Sequence, residues 1–197
     1  GVFLSVVAIW STTPLAIQWS TLGSSFSFSV ASRMFIGLML CILILLFKQQ
    51  KLSRHKQALT NYLYAGVGIY ITMSLVYYSA LSIPSGLISV VFGLTPIITG
   101  VFTLILLKEE FFSLSKMTGL LLGLSGLFMI FNHSFVFAET LLTGLASVTL
   151  AMIFQAFISV KLKKINAHVS ALETTTGALI VSVPLFIISW LILGGEI

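Results

Sequence analysis

The sequence predicts an all-α fold, a polytopic bundle of helices that cross a lipid bilayer. Hydrophobic residues make up 58% of the 197 residues, and charged residues make up 8%. A soluble domain carries roughly 25% charged residues, so this chain has too few charges to cover a surface that faces water. The apolar residues are also arranged in long runs that are separated by short polar loops. Lipid is therefore the expected solvent for most of the chain.

Seven of the apolar runs are long enough to cross a bilayer as helices, which takes about 20 residues each. In lipid, a helix satisfies its own backbone N–H and C=O groups. Strands of a membrane barrel alternate in polarity and are only about 10 residues long, which excludes a barrel here. The predicted spans one to seven cover residues 1–20, 26–47, 59–81, 84–107, 115–132, 138–160 and 170–193.

The loops between the spans alternate in charge and thereby predict the topology. Nine of the ten basic residues flank the loops after spans two, four and six, which share one side of the membrane. The loops 21–25, 82–83 and 133–137 contain no Lys or Arg. By the positive-inside rule the basic side is cytoplasmic, and the N-terminus lies inside the cell. The net charge of +5 thus reflects topology and does not indicate nucleic-acid binding.

Small residues in two spans predict close helix packing. Span five carries Gly119, Gly123 and Gly126, and span four has a similar row of glycines. Lipid provides no hydrophobic force between helices, so close approach of backbones at small residues holds them together. At the start of span seven, Ser170 and Glu173 have the spacing of a capping box.

Uncharged polar residues recur within five of the spans. Such residues in a bilayer usually face protein or water, so they are candidates for lining a cavity. The alternative, which the sequence leaves open, is that they form hydrogen bonds between helices. Span three carries four polar residues that are expected nearly to share a face: Tyr70, Ser74, Tyr77 and Tyr78. The candidate lining residues are Trp10, Thr13, Tyr77, Thr95 and Gln155.

Arg33 is the only charge well inside a span. It lies seven residues after the start of span two, which corresponds to about 10 Å along a helix. An intramembrane arginine is a functional candidate by default. It could instead extend towards the interface or bond to backbone carbonyls of the packed bundle.

The stretch GLTPIITG interrupts span four near its centre. Pro96 has no N–H, so the carbonyl of Phe92 loses its helical partner and the helix is expected to bend. Thr95 is placed to donate to that carbonyl, and Gly93 permits close approach of a neighbour. Gly93 and Pro96 are therefore predicted to form a hinge.

The residues within the spans offer almost no chemistry for an enzyme. The chain contains no Asp, its five Glu residues lie at span ends or in loops, and its three His residues lie in loops. No metal-binding motif, carboxylate pair or nucleophile with a base occurs within the spans. The single cysteine, Cys41, is expected to pack in the bundle. We therefore predict a protein that is not an enzyme and that has no cofactor.

Several motifs, taken in order, resemble the EamA-like family of the drug/metabolite transporter superfamily. The first run, AIWSTTPLAIQWS, resembles the family's first helix, and Arg33 matches an arginine that the family often carries in its second. The most similar stretch is YYSALSIPSGLISVVFGLTPIITGVFTLILLKEEFFSLSKMTGLLLGLSGLFMI. The sequence departs from the family's pattern at Ser11, where glycine is frequent, and at Glu110, where arginine is common. The matching positions in the long stretch are Ala80, Leu81, Pro96, Glu109, Gly119 and Gly126.

The resemblance implies seven helices of a ten-helix transporter built from two inverted five-helix repeats. Residues 1–132 would form the first repeat, and residues 133–197 the first two helices of a second, truncated repeat. It also implies a secondary transporter that moves a small organic metabolite, amino acid-like or drug-like, across the cytoplasmic membrane by alternating access. The candidate lining residues would bind the substrate, with Arg33 as a carboxylate anchor or as scaffold.

A second hypothesis is a non-transporting membrane protein, such as an assembly or receptor subunit. The absence of a mid-membrane carboxylate to couple transport to protons motivates it. The expected partners are a small molecule and the lipid bilayer, without nucleic acid, and a homodimer stays open as the assembly state. Nothing in the sequence indicates the substrate, the direction of transport or the coupling ion.

Overall fold

A computed structural model of the chain describes residues 2–20, 25–109, 114–131 and 139–193. These residues form helices joined by short loops, and no strand occurs among them. The all-α prediction is therefore confirmed for the described residues. The helices are α1 (Val2–Ser20), α2 (Phe26–Phe47), α3 (Lys56–Ala80), α4 (Ser85–Gly93), α5 (Thr95–Leu107), α6 (Leu114–Phe131), α7 (Glu139–Ile165) and α8 (Ala171–Ile192).

Five segments in the described part are long and apolar enough to cross a membrane. They are Phe26–Phe47, Lys56–Ala80, Ser85–Leu107, Leu141–Ile165 and Ala171–Ile192. They correspond to the predicted spans two, three, four, six and seven. Spans one and five are helical too, as α1 and α6, whereas a count of seven crossing helices within a set of ten stays a prediction.

Helix α3 lies at the centre of the packing and contacts α7 and α8 most extensively. A Cβ on Gly66 would lie 2.6 Å from the Cβ of Val181 and 2.7 Å from the carbonyl oxygen of Ala178, both in α8. A Cβ on Gly68 would lie 2.9 Å from the side chain of Ile158 in α7. Two residues apart, these glycines lie on nearly opposite sides of α3. They therefore set the distance of α3 from both neighbours.

The glycines that the sequence singled out in span five do not pack in this way. A Cβ on Gly119, Gly123 or Gly126 of α6 would have no described atom within 4 Å. The prediction that they pack tightly is wrong for the described part of the chain. A row of small residues permits close approach, but the pattern does not say which helix makes use of it.

The contacts along the helices define their relative directions. Tyr62 and Gly177 are in contact, and further along Tyr70 bonds to Ser189, so α3 and α8 are parallel. Phe28, near the start of α2, packs against Trp190, near the end of α8, with ring centroids 5.5 Å apart. Helix α2 therefore runs antiparallel to α8. These directions agree with those predicted for spans two, three and seven.

The loops that carry the basic residues come together at one end of the bundle, which we call the basic end. Lys163 forms an ion pair with Glu109, and its neighbour Lys164 donates to the carbonyl oxygen of Leu106 at 3.2 Å. The ring of His55 and the carbonyl oxygen of Ala167 are hydrogen-bonded at 3.0 Å. The loops after α2, α5 and α7 therefore share one end, as the charge pattern predicts.

Helix α7 extends further than the sequence predicted. Span six was expected to end at residue 160, with Lys161, Lys163 and Lys164 in the following loop, but α7 continues to Ile165. Basic residues are favourable in the last turns of a helix because of the partial negative charge there. Their long side chains also reach polar partners from the end of a membrane helix. Lys161, for example, lies over the ring of Tyr64 at 5.6 Å from its centroid.

Span four breaks in two at Leu94, two residues before Pro96. Helix α4 ends at Gly93, and the carbonyl oxygen of Leu94 accepts from the N–H groups of Ile97 and Ile98 at the start of α5. The regular helical hydrogen bonding is therefore interrupted at the predicted place, while Leu94 itself keeps a right-handed helical backbone, with φ −80° and ψ −11°. Thr95 does not help as predicted, because its buried hydroxyl has no hydrogen-bond partner among the described residues.

Candidate functional site

Six buried side-chain polar atoms in the described part have no hydrogen-bond partner. An unsatisfied buried polar group costs about 1–3 kcal/mol, so each requires an explanation. Two of the six atoms belong to Tyr77 and Thr95, which the sequence analysis predicted to line a cavity. The six residues are Asn61, Tyr62, Thr72, Tyr77, Thr95 and Ser182.

One cavity of about 370 Å³ brings two predicted site residues together. Arg33 of α2 and Tyr77 of α3 both line it. Tyr77 is fully buried, and Arg33 is exposed and forms no hydrogen bond or ion pair with a described residue. We call this space the Arg33 cavity. Its lining residues are Ala16, Ser20, Phe28, Ser29, Ser32, Arg33, Ile36 and Tyr77.

The serine hydroxyls that line the Arg33 cavity donate their hydrogen bonds to backbone carbonyl oxygens. The hydroxyl of Ser29 donates to the carbonyl oxygen of Ser20 at 2.7 Å, and that of Ser32 to the carbonyl oxygen of Ser29 at 3.2 Å. The Ser20 hydroxyl donates to the carbonyl oxygen of Ile17 at 2.7 Å. Their oxygens line the cavity while their protons point to the main chain. Arg33 and Tyr77 are therefore the side chains with donors left for a ligand.

A second cavity, of about 260 Å³, lies between α2, α3 and α8. The hydroxyls of Tyr70 and Ser189 are hydrogen-bonded to each other at 2.6 Å at its wall. The ring of Tyr70 also packs against Phe186 with centroids 5.1 Å apart. This space, the Tyr70 cavity, is lined by Phe26, Ser27, Val30, Tyr70, Ser74, Leu75, Tyr78, Phe186, Ser189 and Leu193.

The tyrosines of α3 are divided between the two cavities. Tyr70, Ser74 and Tyr78 line the Tyr70 cavity, whereas Tyr77 lines the Arg33 cavity. The expectation that all four share a face is therefore wrong for Tyr77. Successive helix positions are about 100° apart, which is enough to turn Tyr77 and Tyr78 towards different neighbours.

The linings of these two cavities do not include Thr13, Thr95 or Gln155. The hydroxyl of Thr13 donates to the carbonyl oxygen of Ile9, one turn earlier in α1, at 2.7 Å. Gln155 is half-buried in α7, and Thr95 is half-buried at the start of α5, with its hydroxyl oxygen buried. Trp10 belongs to α1, but its side chain lies outside the described part of the chain. Their role as a lining stays a prediction.

Both cavities lie in the half of the bundle that is remote from the basic end. Their α2 residues come from the first half of that helix, and their α3 residues come from the second half of α3. At the basic end, Glu173 accepts from the backbone N–H of Ser53 at 3.2 Å and from its hydroxyl at 2.7 Å. Contacts thus join the loops at the basic end, and these two cavities lie towards the opposite end.

Sequence reasoning missed Ser189 and the partner of Glu173. A signal for Ser189 was present, because Ser182, Phe186 and Ser189 are spaced so as to share one face of α8. For Glu173, the sequence predicted the capping box with Ser170, and this box is present. The contact between Glu173, in the first turn of α8, and Ser53, in the loop before α3, joins residues 120 positions apart, and nothing in the local pattern indicates it.

Comparison with protein families identifies the chain. The model of the EamA-like transporter family matches residues 1–132. The chain belongs to the EamA-like transporter family. No curated protein matches the chain significantly.

Membership of the EamA-like family agrees with the apolar helices, and the protein is an integral membrane protein. The family is one of transporters. Among the described residues, no group of His, Cys, Asp and Glu could hold a metal ion.

Proposed function

We propose that this EamA-like protein is a secondary transporter that moves a small organic metabolite across the cytoplasmic membrane by alternating access. The distribution of cavities and contacts carries the proposal. Both cavities lie away from the basic end, where Glu173, Lys163 and His55 hold the loops together. A transporter that alternates between two open states has this form when its site faces one side.

The proposed orientation follows from the positive-inside rule. The basic end faces the cytoplasm, and the N-terminus of α1 lies there as well. The Arg33 and Tyr70 cavities then face the outside of the cell. The contacts of Glu173 and Lys163 would form the closed inner side, and they would separate when the site opens to the cytoplasm.

The substrate would bind near the centre of the bilayer, where transporters of this architecture hold their sites. Tyr77 and Arg33 would contact it in the state described here. Thr13, Thr95, Gln155 and Trp10 would join the lining as the helices rearrange. The break between α4 and α5 supports this, because Gly93 and Pro96 lie at the junction of two short helices that could move separately.

Uptake into proteoliposomes tests the proposal directly. The protein is reconstituted, and the uptake of radiolabelled amino acids, organic acids and amines is compared with that of protein-free vesicles. Uptake of one class above the background is expected, with at least a several-fold loss in Thr13→Ala, Tyr77→Phe and Thr95→Ala. Ser125→Ala is the control, since Ser125 is exposed on α6 and bonds only to its own helix. Unchanged rates in the three variants would remove the site assignment.

Chemical labelling tests the alternation itself. Ser32→Cys, in a background with Cys41→Ser, would place a thiol in the lining of the Arg33 cavity. A membrane-impermeant maleimide should label it from the outside, and a transported substrate should reduce the labelling. No flux for any compound, together with labelling that no compound alters, would favour the non-transporting alternative.

A further inference from the structure

The Arg33 cavity combines two donors that have no partner in the described structure. The hydroxyl of Tyr77 is buried and unsatisfied, and the guanidinium of Arg33 forms no hydrogen bond or ion pair with a described residue. Tyr77 is fully buried, so its hydroxyl has no access to bulk water to compensate. Both residues line one cavity, although they belong to different helices. No described residue accepts a hydrogen bond from either of these two donors.

Among the described residues, the lining of the cavity holds one cation and no carboxylate, and this makes the cavity electropositive. Its other polar members are Ser20, Ser29 and Ser32, which are neutral. An arginine within a bilayer span is costly without a counter-ion. Guanidinium is planar and binds carboxylates through two parallel hydrogen bonds. An organic acid would supply both the missing charge and the missing acceptor.

We propose that the Arg33 cavity binds the carboxylate of a small organic acid. The guanidinium of Arg33 pairs with the carboxylate, and the hydroxyl of Tyr77 donates a further hydrogen bond to it. The rings of Phe28 and Tyr77 provide apolar surface for the rest of the molecule. As a statement about the transported substrate this rests on the proposed function, but as a statement about binding it stands alone.

Geometry favours a small acid over a lipid headgroup as the occupant. Arg33 lies seven residues into α2, which is about 10 Å from the helix start. Residues of α1, α2 and α3 line the cavity, whose volume of about 370 Å³ suits a small molecule. A lipid phosphate is nevertheless a competing anion, and the experiment distinguishes the two.

Equilibrium dialysis of radiolabelled benzoate against the purified protein in detergent tests the proposal. Benzamide is the matched probe, since it has the same ring and nearly the same shape but no charge. Benzoate should bind at least about tenfold more tightly than benzamide, because charge-assisted hydrogen bonds are roughly twice as strong as neutral ones. Equal binding of the two compounds, or no binding of benzoate at 10 mM (on the order of the weakest specific affinities), would overturn the proposal.

Three variants assign the binding to the cavity. Arg33→Gln should weaken benzoate binding by about tenfold or more, and Arg33→Lys should retain part of it because the charge remains. Tyr77→Phe should weaken it several-fold while keeping the buried ring in place. Arg54→Gln is the control, because it removes the same charge from an exposed loop at the basic end. Wild-type binding by Arg33→Gln and Tyr77→Phe would refute the site.

The same dialysis in lipid nanodiscs separates a substrate from a lipid. Discs of neutral phosphatidylcholine should preserve benzoate binding, and discs of anionic phosphatidylglycerol should leave it within about twofold. Abolition of binding by phosphatidylglycerol alone would identify a lipid phosphate as the occupant and overturn the proposal. Binding of benzoate without transport of any compound would contradict the proposed transport function but not the carboxylate site. Transport of neutral or cationic compounds, without binding of benzoate, would contradict the carboxylate site but not the proposed transport function.

Discussion

Ser53 donates to one carboxylate oxygen of Glu173 through both its backbone N–H, at 3.2 Å, and its hydroxyl, at 2.7 Å. The other oxygen of Glu173 accepts from the hydroxyl of Ser170 at 3.1 Å. One carboxylate therefore caps α8 and joins the loop before α3 to it. Because α3 and α8 form the Tyr70 cavity further along, this contact links the basic end to the polar interior.

We expect Ser53→Ala to loosen the basic end without unfolding the protein. It removes one hydrogen bond to a charged acceptor and leaves the backbone N–H and the Ser170 cap in place. The loss should be about 1 kcal/mol, since the carboxylate is partly exposed. Thermal unfolding in detergent measures the stability. Proteolysis of the loop before α3, which we expect to become faster, reports the loosening.

Ser147→Ala is the control for Ser53→Ala. The hydroxyl of Ser147 donates only to the carbonyl oxygen of Thr143 in the same helix, at 2.8 Å. Its removal should leave unfolding and proteolysis near the wild-type values. If Ser53→Ala matched Ser147→Ala in both measurements, the contact with Glu173 would have no role in holding the basic end.

The two sets of glycines should respond in opposite ways to alanine. In Gly66→Ala, the new Cβ would meet the carbonyl oxygen of Ala178 at 2.7 Å, and backbone cannot move aside cheaply. Overpacking of this kind costs about 1–3 kcal/mol. In Gly123→Ala the new Cβ meets no described atom, and the better helix propensity of alanine is worth up to about 1 kcal/mol.

Thermal unfolding of the two glycine variants side by side is the measurement. Gly66→Ala should unfold at a lower temperature than the wild type, and Gly123→Ala at the same temperature or a higher one. Destabilisation of Gly123→Ala would mean that α6 has a packing partner on that face. An unaffected Gly66→Ala would contradict the close contact between α3 and α8.

The sequence alone was sufficient to predict where the helices lie and how the loops alternate in charge. Both depend on local patterns: apolar length for the spans, and the sign of charge for the loops. The break near Pro96 and the capping box at Ser170 are local as well, since each follows from one residue's backbone chemistry. All of these features are present in the structure.

Pairings between distant helices could not be predicted from one sequence. Lipid is as apolar as most side chains, so a helix face carries little sign of which neighbour covers it. Nothing in the sequence pattern distinguished Gly66 and Gly68, although they set the distance of α3 from α8 and α7. Arg33 and Tyr77 were both proposed as site residues, but their common cavity depends on how α1, α2 and α3 meet.

Thr95 offers a test that separates stability from function. Its buried hydroxyl has no hydrogen-bond partner in the described part of the chain, so Thr95→Val, which keeps the shape, should remove a penalty of about 1–3 kcal/mol and raise the unfolding temperature. If the hydroxyl contacts substrate or water during transport, uptake into proteoliposomes should fall in the same variant. Thr95→Ser, which keeps the hydroxyl, should retain most of the uptake. A lower unfolding temperature in Thr95→Val would show that the hydroxyl has a stabilising partner.

Pro96 can be compared with Pro184, because both prolines lie within apolar spans and only one of them coincides with a break. Helix α8 continues through Pro184, whereas the span of α4 and α5 is interrupted just before Pro96. Pro96→Ala restores the N–H that the carbonyl oxygen of Phe92 lacks, so we expect the two helices to join. The protein should become more stable, with uptake at least about tenfold slower, because a proline inside a helix costs about 3 kcal/mol and a hinge would be lost. Pro184→Ala should keep the wild-type rate of uptake. Wild-type uptake by a folded Pro96→Ala variant would show that the break shapes the helix but does not act as a hinge in transport.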